Sequence, residues 1–157
     1  MRAAFLSLLL FSAGVGAGSA PATEATVVLA VIAHPDVPEE DVSVAELRRI
    51  FLGDRQFWTG EQRVILLVPP AKSNERAALL DRVYEKTESQ YRHYWIAKVF
   101  RTESPTAPKV VKSDATPDLV RQIPGAIAVV DAAKVPAGVK VLRIGGKTAA
   151  DAGYLLR

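Results

Sequence analysis

The stretch Val64-Ile65-Leu66-Leu67-Val68, Pro69-Pro70-Ala71-Lys72-Ser73-Asn74-Glu75-Arg76, Ala77-Ala78-Leu79-Leu80 decides how the chain is read. Its opening apolar run fits a strand buried on both faces. Two prolines end the run, since proline offers no N–H to a ladder. Ser73 suits an N-cap and Ala77 to Leu80 are strong helix formers, so a helix is expected from Asn74 to about Lys86. A strand feeding a capped helix directs the helix's free N–H groups at the carboxyl edge of the sheet. Lys72 and Arg76 add positive charge there, which suits an anion. Lys72, Ser73, Asn74, Glu75 and Arg76 are therefore candidate anion-binding residues. The competing reading is an ordinary loop with solvated charges.

Upstream, Val27 to Ala33 is nearly all apolar and rich in β-branched residues, a first buried strand. His34-Pro35-Asp36-Val37-Pro38 breaks it. Ser43-Val44-Ala45-Glu46 is a capping box. It opens a helix with Val44, Leu47, Ile50 and Phe51 on one face and Gly53 at its end, while Arg48 and Arg49 sit on the other face. Phe57-Trp58-Thr59-Gly60 is a loop. A strand, this helix and a second strand at Arg63 to Val68 predict a βαβ unit with a parallel pair.

Downstream, Thr87-Glu88-Ser89-Gln90 caps another helix. Tyr91, Tyr94, Trp95, Val99 and Phe100 make an apolar stripe along it, and Arg92, His93 and Lys98 face elsewhere. Such a stripe reads as a core face; stacking on a sugar or a base beside Arg92 is the alternative. Lys109 to Lys112 is a short strand, Pro117 to Ile123 a helix, and Ala126 to Val130 a third buried strand after the Pro124-Gly125 turn. Asp131 to Lys134 forms a helical turn, and Val139 to Ile144 alternates as an edge strand does. Beyond Gly145-Gly146 a loose tail is expected.

The chain has 157 residues, no Cys, 49% hydrophobic and 24% charged residues, which fits one globular domain with an apolar excess at the front. Twenty Lys and Arg against 17 Asp and Glu is close to balance, so a nucleic-acid partner is not implied. Residues 1–20 carry the excess: Met1-Arg2, a Leu-rich apolar run from Ala3 to Phe11, then small residues ending Ala17-Gly18-Ser19-Ala20. That order is an export signal, cleaved near Ala20, or after Ala25. Its apolar run is too short for a membrane span. The expectation is a soluble periplasmic or secreted protein, not membrane-embedded after signal removal, with no disulfide framework.

Candidate chemistry is sparse. The two histidines, His34 and His93, are far apart and no zinc spacing is present. His34 lies just past a strand end, where ligand sites occur, and joins the candidates; a plain turn residue is the alternative. Asp36, Glu39, Glu40 and Asp41 read as a solvated acidic turn before a helix. There is no Gly-x-Ser-x-Gly elbow, Gly-rich phosphate loop or dinucleotide fingerprint. Nothing pairs a nucleophile with a base, so no enzyme, cofactor or metal is expected.

The string from Ser43 to Gly53, followed by Phe57-Trp58, resembles the SLxxLxxIFLGxxxxW segment of phosphate-binding proteins of ABC transporters, which are type II periplasmic binding proteins. Val31-Ile32-Ala33-His34-Pro35 resembles the strand before it. Tyr91 to Trp95 with Val99-Phe100 resembles a following helix, and Pro124 to Val130 the family's PGAIGYV strand. The resemblance spans about Val31 to Ile144. It implies an α/β fold, a three-layer sandwich with a mostly parallel central sheet, forming one lobe of that architecture. It also places Ser73 and Arg76 near the family serine and arginine of the phosphate loop. The family's Gly-Ser-Gly-Thr glycines and threonine are missing here, and Glu75 brings a negative charge to the spot.

The domain plan is thus a signal at 1–20, a linker at 21–26, a binding-protein-like domain at 27–145 and a tail at 146–157. The function implied is binding of inorganic phosphate or a similar oxyanion for ABC-type uptake or sensing, with an ABC permease or another envelope protein as partner. Half a cleft leaves an anion solvated and its bonds screened, so a second lobe, a dimer or a membrane protein would have to complete it. The alternative is a ligand-free lobe acting as a protein-interaction module in an envelope complex, with Phe57, Trp58 and the Arg48-Arg49 face as contacts.

Overall fold

A computed structural model describes residues 27–103 and 107–157. The expected export signal, its cleavage site and the lead at 21–26 lie outside the described residues. In chain order the elements are β1 (Leu29–Ala33), β2 (Asp41–Val42), α1 (Val44–Phe51), β3 (Ile65–Val68), α2 (Asn74–Leu79), α3 (Glu88–Phe100), β4 (Lys109–Val110), α4 (Thr116–Gln122), β5 (Ala126–Asp131), β6 (Lys140–Val141) and β7 (Arg143–Ile144). A π-helical turn at Leu80–Tyr84 extends α2 and stops at Glu85, whose φ is +51°.

The main sheet has five strands in the order β4-β3-β5-β1-β6. β3 runs parallel to β4 and β5, whereas β1 is antiparallel to both β5 and β6. Four strands therefore point one way and β1 alone points back, so the sheet is mostly parallel. This corrects the βαβ expectation. β1 does not pair with β3, because β5 sits between them and β1 runs in reverse. The two strands are apolar on both faces wherever they sit in the sheet, so hydrophobicity carried no information on direction.

Helices cover both faces, as a three-layer α/β sandwich requires. On one side Leu29, Val31, Ala33 and Ile127 pack with Leu47, Ile50 and Phe51 of α1, with Leu79, Leu80, Val83 and Tyr84, and with Tyr91 and Trp95 of α3. On the other side Ile32, Leu67, Ala128 and Val130 pack with Val120 of α4. Alternate residues of β1 enter the two cores, the period-2 rule for strands.

Local signals map closely onto structure. Ser43 and Glu46 form the expected capping box of α1, and Thr87 and Gln90 that of α3. Gly53 sits at φ +71°, where a Cβ would come 2.7 Å from the Trp95 ring. Gly125, at φ +76°, would place a Cβ 2.1 Å from the Arg63 carbonyl oxygen. Trp58 is buried and its Nε1 donates to the Gly125 carbonyl at 2.9 Å, tying the α1 loop to the start of β5.

Three expectations change. The alternating run Val139 to Ile144 divides between sheets: β6 edges the main sheet and β7 pairs with β2. The tail is not loose, since Tyr154 and Leu156 are buried and the Leu29 amide donates to the Leu156 carbonyl at 2.8 Å. On α3, Tyr91 and Trp95 are core, but Val99 and Phe100 are exposed, Phe100 by 87%. Lys98 is buried instead, its Nζ meeting Asp54 and donating to the Tyr94 hydroxyl.

Candidate functional site

The carboxyl ends of β3, β4 and β5 share one edge of the sheet, since these strands are parallel. The turn Pro69–Ser73 leaves β3 at that edge and enters α2. Ser73 is the N-cap: its Oγ accepts from the Arg76 amide at 3.1 Å and donates to the Pro70 carbonyl at 2.9 Å. As first-turn residues, Asn74 and Glu75 have amides without intrahelical acceptors. Lys72 is exposed at φ +70°. That left-handed backbone, which glycine adopts without steric cost, is held here by a lysine.

Arg76 is the residue whose placement matters most. It is 4% exposed and points under α3 rather than over the turn. Its Nε and Nη2 donate to the two carboxylate oxygens of Glu88, both at 3.0 Å, and its guanidinium lies 3.9 Å from the Tyr91 ring centroid. This is a two-pronged, charge-assisted pair backed by a cation–π contact. Burial opposes the Arg76 charge, but Glu88 and the neighbouring Tyr91 more than offset it and raise the guanidinium pKa. The Arg76 hydrogen bonds hold the Glu88 carboxyl below its ordinary value. Burial pushes the Tyr91 phenol up, and the fully enclosed Tyr84 phenol well up. A guanidinium already neutralised by a carboxylate has little net charge left for a ligand.

His34 lies elsewhere. Because β1 runs against β5, its carboxyl end meets the amino end of β5, and the His34 amide donates to the Ala126 carbonyl at 2.9 Å. Its Nδ1 accepts from the Asp36 amide at 3.1 Å, the role of a turn residue. So Lys72, Ser73, Asn74 and Glu75 come together, Arg76 turns inward from among them, and His34 occupies the opposite edge. Sequence reasoning missed Lys112. It lies two residues past β4 on the turn's own edge, where the Val111 amide donates to the Val68 carbonyl at 2.9 Å and Lys112 is exposed. The β3–β4 pairing was the needed signal, and a two-residue strand barely shows it.

The contacts expected of an interaction face also sort themselves. Trp58 is core, Arg48 donates to the Glu85 carboxylate, and Arg49 and Phe57 remain exposed. No helix among the described residues is long and apolar enough to cross a membrane.

No family model and no curated protein matches the chain. Solved structures do. A protein described as a phosphate ABC transporter substrate-binding protein with bound phosphate, from Clostridium perfringens, superposes with TM-score 0.63 at 19% identity over 78% of this chain and 47% of its own. An ABC-type phosphate transport receptor from Vibrio cholerae gives TM-score 0.63 at 16% identity over 79% and 48%. PstS from Borrelia burgdorferi gives 0.61 at 14% over 77% and 48%. The chain spans about half the length of these structures, and it has the fold of one lobe of a phosphate ABC transporter substrate-binding protein.

Proposed function

We propose that the chain binds a small oxyanion of the phosphate class at the turn Lys72–Glu75, as an exported protein that serves ABC-type uptake or sensing. The observation that carries this reading is the capped α2 start at the carboxyl edge of three parallel strands, in a fold shared with phosphate receptors. The amides of Asn74 and Glu75 and the Ser73 hydroxyl are the donors, and Lys72 and Lys112 supply charge. Arg76 holds the turn to α3 through Glu88 and does not touch the ligand. A second surface, from a permease or another envelope protein, closes the cleft, and the signal at residues 1–20, cleaved near Ala20, delivers the protein to the periplasm.

Thermal unfolding with phosphate titrated at constant ionic strength, with sulfate as control, tests the reading. Phosphate at about a hundred times its Kd adds roughly 2.7 kcal/mol, several degrees in midpoint. Lys72→Glu abolishes that rise and keeps the fold, since Lys72 is exposed. Arg76→Ala is a poor probe, because it breaks the Glu88 pair whatever the ligand does.

A flat titration to millimolar phosphate favours the second reading, a lobe that binds protein. The exposed apolar residues Ile96, Val99 and Phe100 at the end of α3 support it. Phe100→Glu would then abolish capture of an envelope partner.

A further inference from the structure

At the amino end of β3, away from the anion-binding turn, the structure has a pocket of about 280 Å³. Its origin is topological. β4 pairs only with Leu67 and Val68, so the first half of β3 has no strand on that side. The gap is walled by Val64, Ile65 and Leu66 and by Ile50 and Trp95 from α1 and α3. Gly53 lets the Trp95 ring reach this wall, since any side chain there would strike it. The interior is therefore apolar and partly aromatic.

The rim is cationic. Arg55, Arg63 and Lys109 line the pocket, and among the described residues no Asp or Glu does. Arg55 is occupied by the carboxylates of Glu39 and Glu46. Arg63 and Lys109 are exposed and form no ion pair among the described residues. The Arg63 guanidinium lies 5.1 Å from the Phe57 ring centroid, which keeps it at the rim. An apolar pocket with two exposed cations at its mouth, neither paired with a carboxylate among the described residues, complements a molecule with an apolar body and one anionic end. The volume lies just below the ~300–1,000 Å³ range of small-molecule sites, which points to a small ligand.

We propose that this pocket is a second ligand site, separate from the turn, that takes a small apolar carboxylate with its body against Trp95 and its carboxylate between Arg63 and Lys109. Inorganic phosphate has no apolar body to fill it, so the two sites select different ligands.

The test uses octanoate as probe, the isosteric neutral octanamide as control, and calorimetric titration with NMR of the Trp95 indole N–H. Octanoate shifts that resonance saturably, octanamide binds more weakly, and phosphate leaves it unmoved. The double substitution Arg63→Gln with Lys109→Gln weakens octanoate about tenfold, as expected for losing two partly exposed ion pairs, while octanamide affinity and the unfolding midpoint stay unchanged. No octanoate binding at millimolar concentration, equal affinity for octanamide, or an undiminished affinity in the double variant would each overturn the proposal. A phosphate titration that moves the turn and not the indole leaves the proposed oxyanion reading intact in any of those cases.

Discussion

Two segments of this molecule resemble the same family and meet different fates. The segment from Ser43 through Trp58 keeps its local signals: a capping box, a buried Leu47-Ile50-Phe51 face and a helix end at a left-handed Gly53, while Trp58, a contact of the alternative interaction face, is instead buried with its indole bonded to Gly125. The turn from Pro69 to Arg76 keeps its cap and loses one of its two expected cations. Ser73 caps and Lys72 adopts the positive φ a glycine would favour, but Arg76 is drawn beneath α3 by Glu88 and Tyr91. Backbone geometry is written locally, in caps and turn residues. The partner an arginine takes is decided by what folds over it.

The junction that fastens the first segment to the start of β5 is where substitution should cost most. Gly125→Ala drives a Cβ to 2.1 Å from the Arg63 carbonyl oxygen in a backbone conformation that already penalises side chains. A loss of about 3 kcal/mol is expected, read from urea unfolding. A loss below ~0.5 kcal/mol would mean that the Trp58–Gly125 junction is looser than described.

Glu88→Gln sharpens the comparison from the other side, by stranding Arg76. Breaking a fully buried pair costs ~3–5 kcal/mol, and Glu88 keeps partial access to water, so about 2 kcal/mol is expected. Adding Arg76→Met should recover much of it, because the uncompensated charge is gone. The pair also sets a pH dependence. Arg76 lowers the Glu88 pKa in the folded state, so the folded chain binds this proton less readily than the unfolded chain. The contribution is complete above the unfolded value of ~4.3 and is lost as pH falls through the lowered folded value. Glu88→Gln should therefore flatten the acid limb of the stability profile, and an unchanged limb would remove the pair from the account.

Smaller effects belong to the turn itself. Ser73→Ala removes the cap and should cost about 1 kcal/mol. Lys72→Gly relieves the left-handed lysine and should stabilise by about 0.5 kcal/mol, once the extra freedom of glycine in the unfolded chain is subtracted. A destabilising Lys72→Gly would show that the side chain makes contacts that outweigh its strain.

These contrasts mark what was legible in the sequence. The α1 and α3 caps, the β5 strand, the α/β class and the turn at the end of β3 could be read because each is encoded in a few adjacent residues. The reversal of β1 could not, since a doubly buried strand looks the same in either direction, and that reversal is what puts His34 at the edge opposite the turn. Splitting Val139–Ile144 between two sheets, and docking the tail through Leu156, depend on partners over a hundred residues away, including β1 and β2. Of the five adjacent turn candidates, Arg76 turns inward because Glu88 in the next helix pairs with it, a partner that local sequence does not show.

The most direct measurement is an NMR titration of the chain with phosphate, following the amides of Ser73, Asn74 and Glu75 and the Nε–H of Arg76. Phosphate binding at the turn gives saturable shifts of the three amides with Arg76 Nε–H fixed on Glu88. Amides that stay still to millimolar phosphate, or an Arg76 resonance that moves as they do, would contradict it.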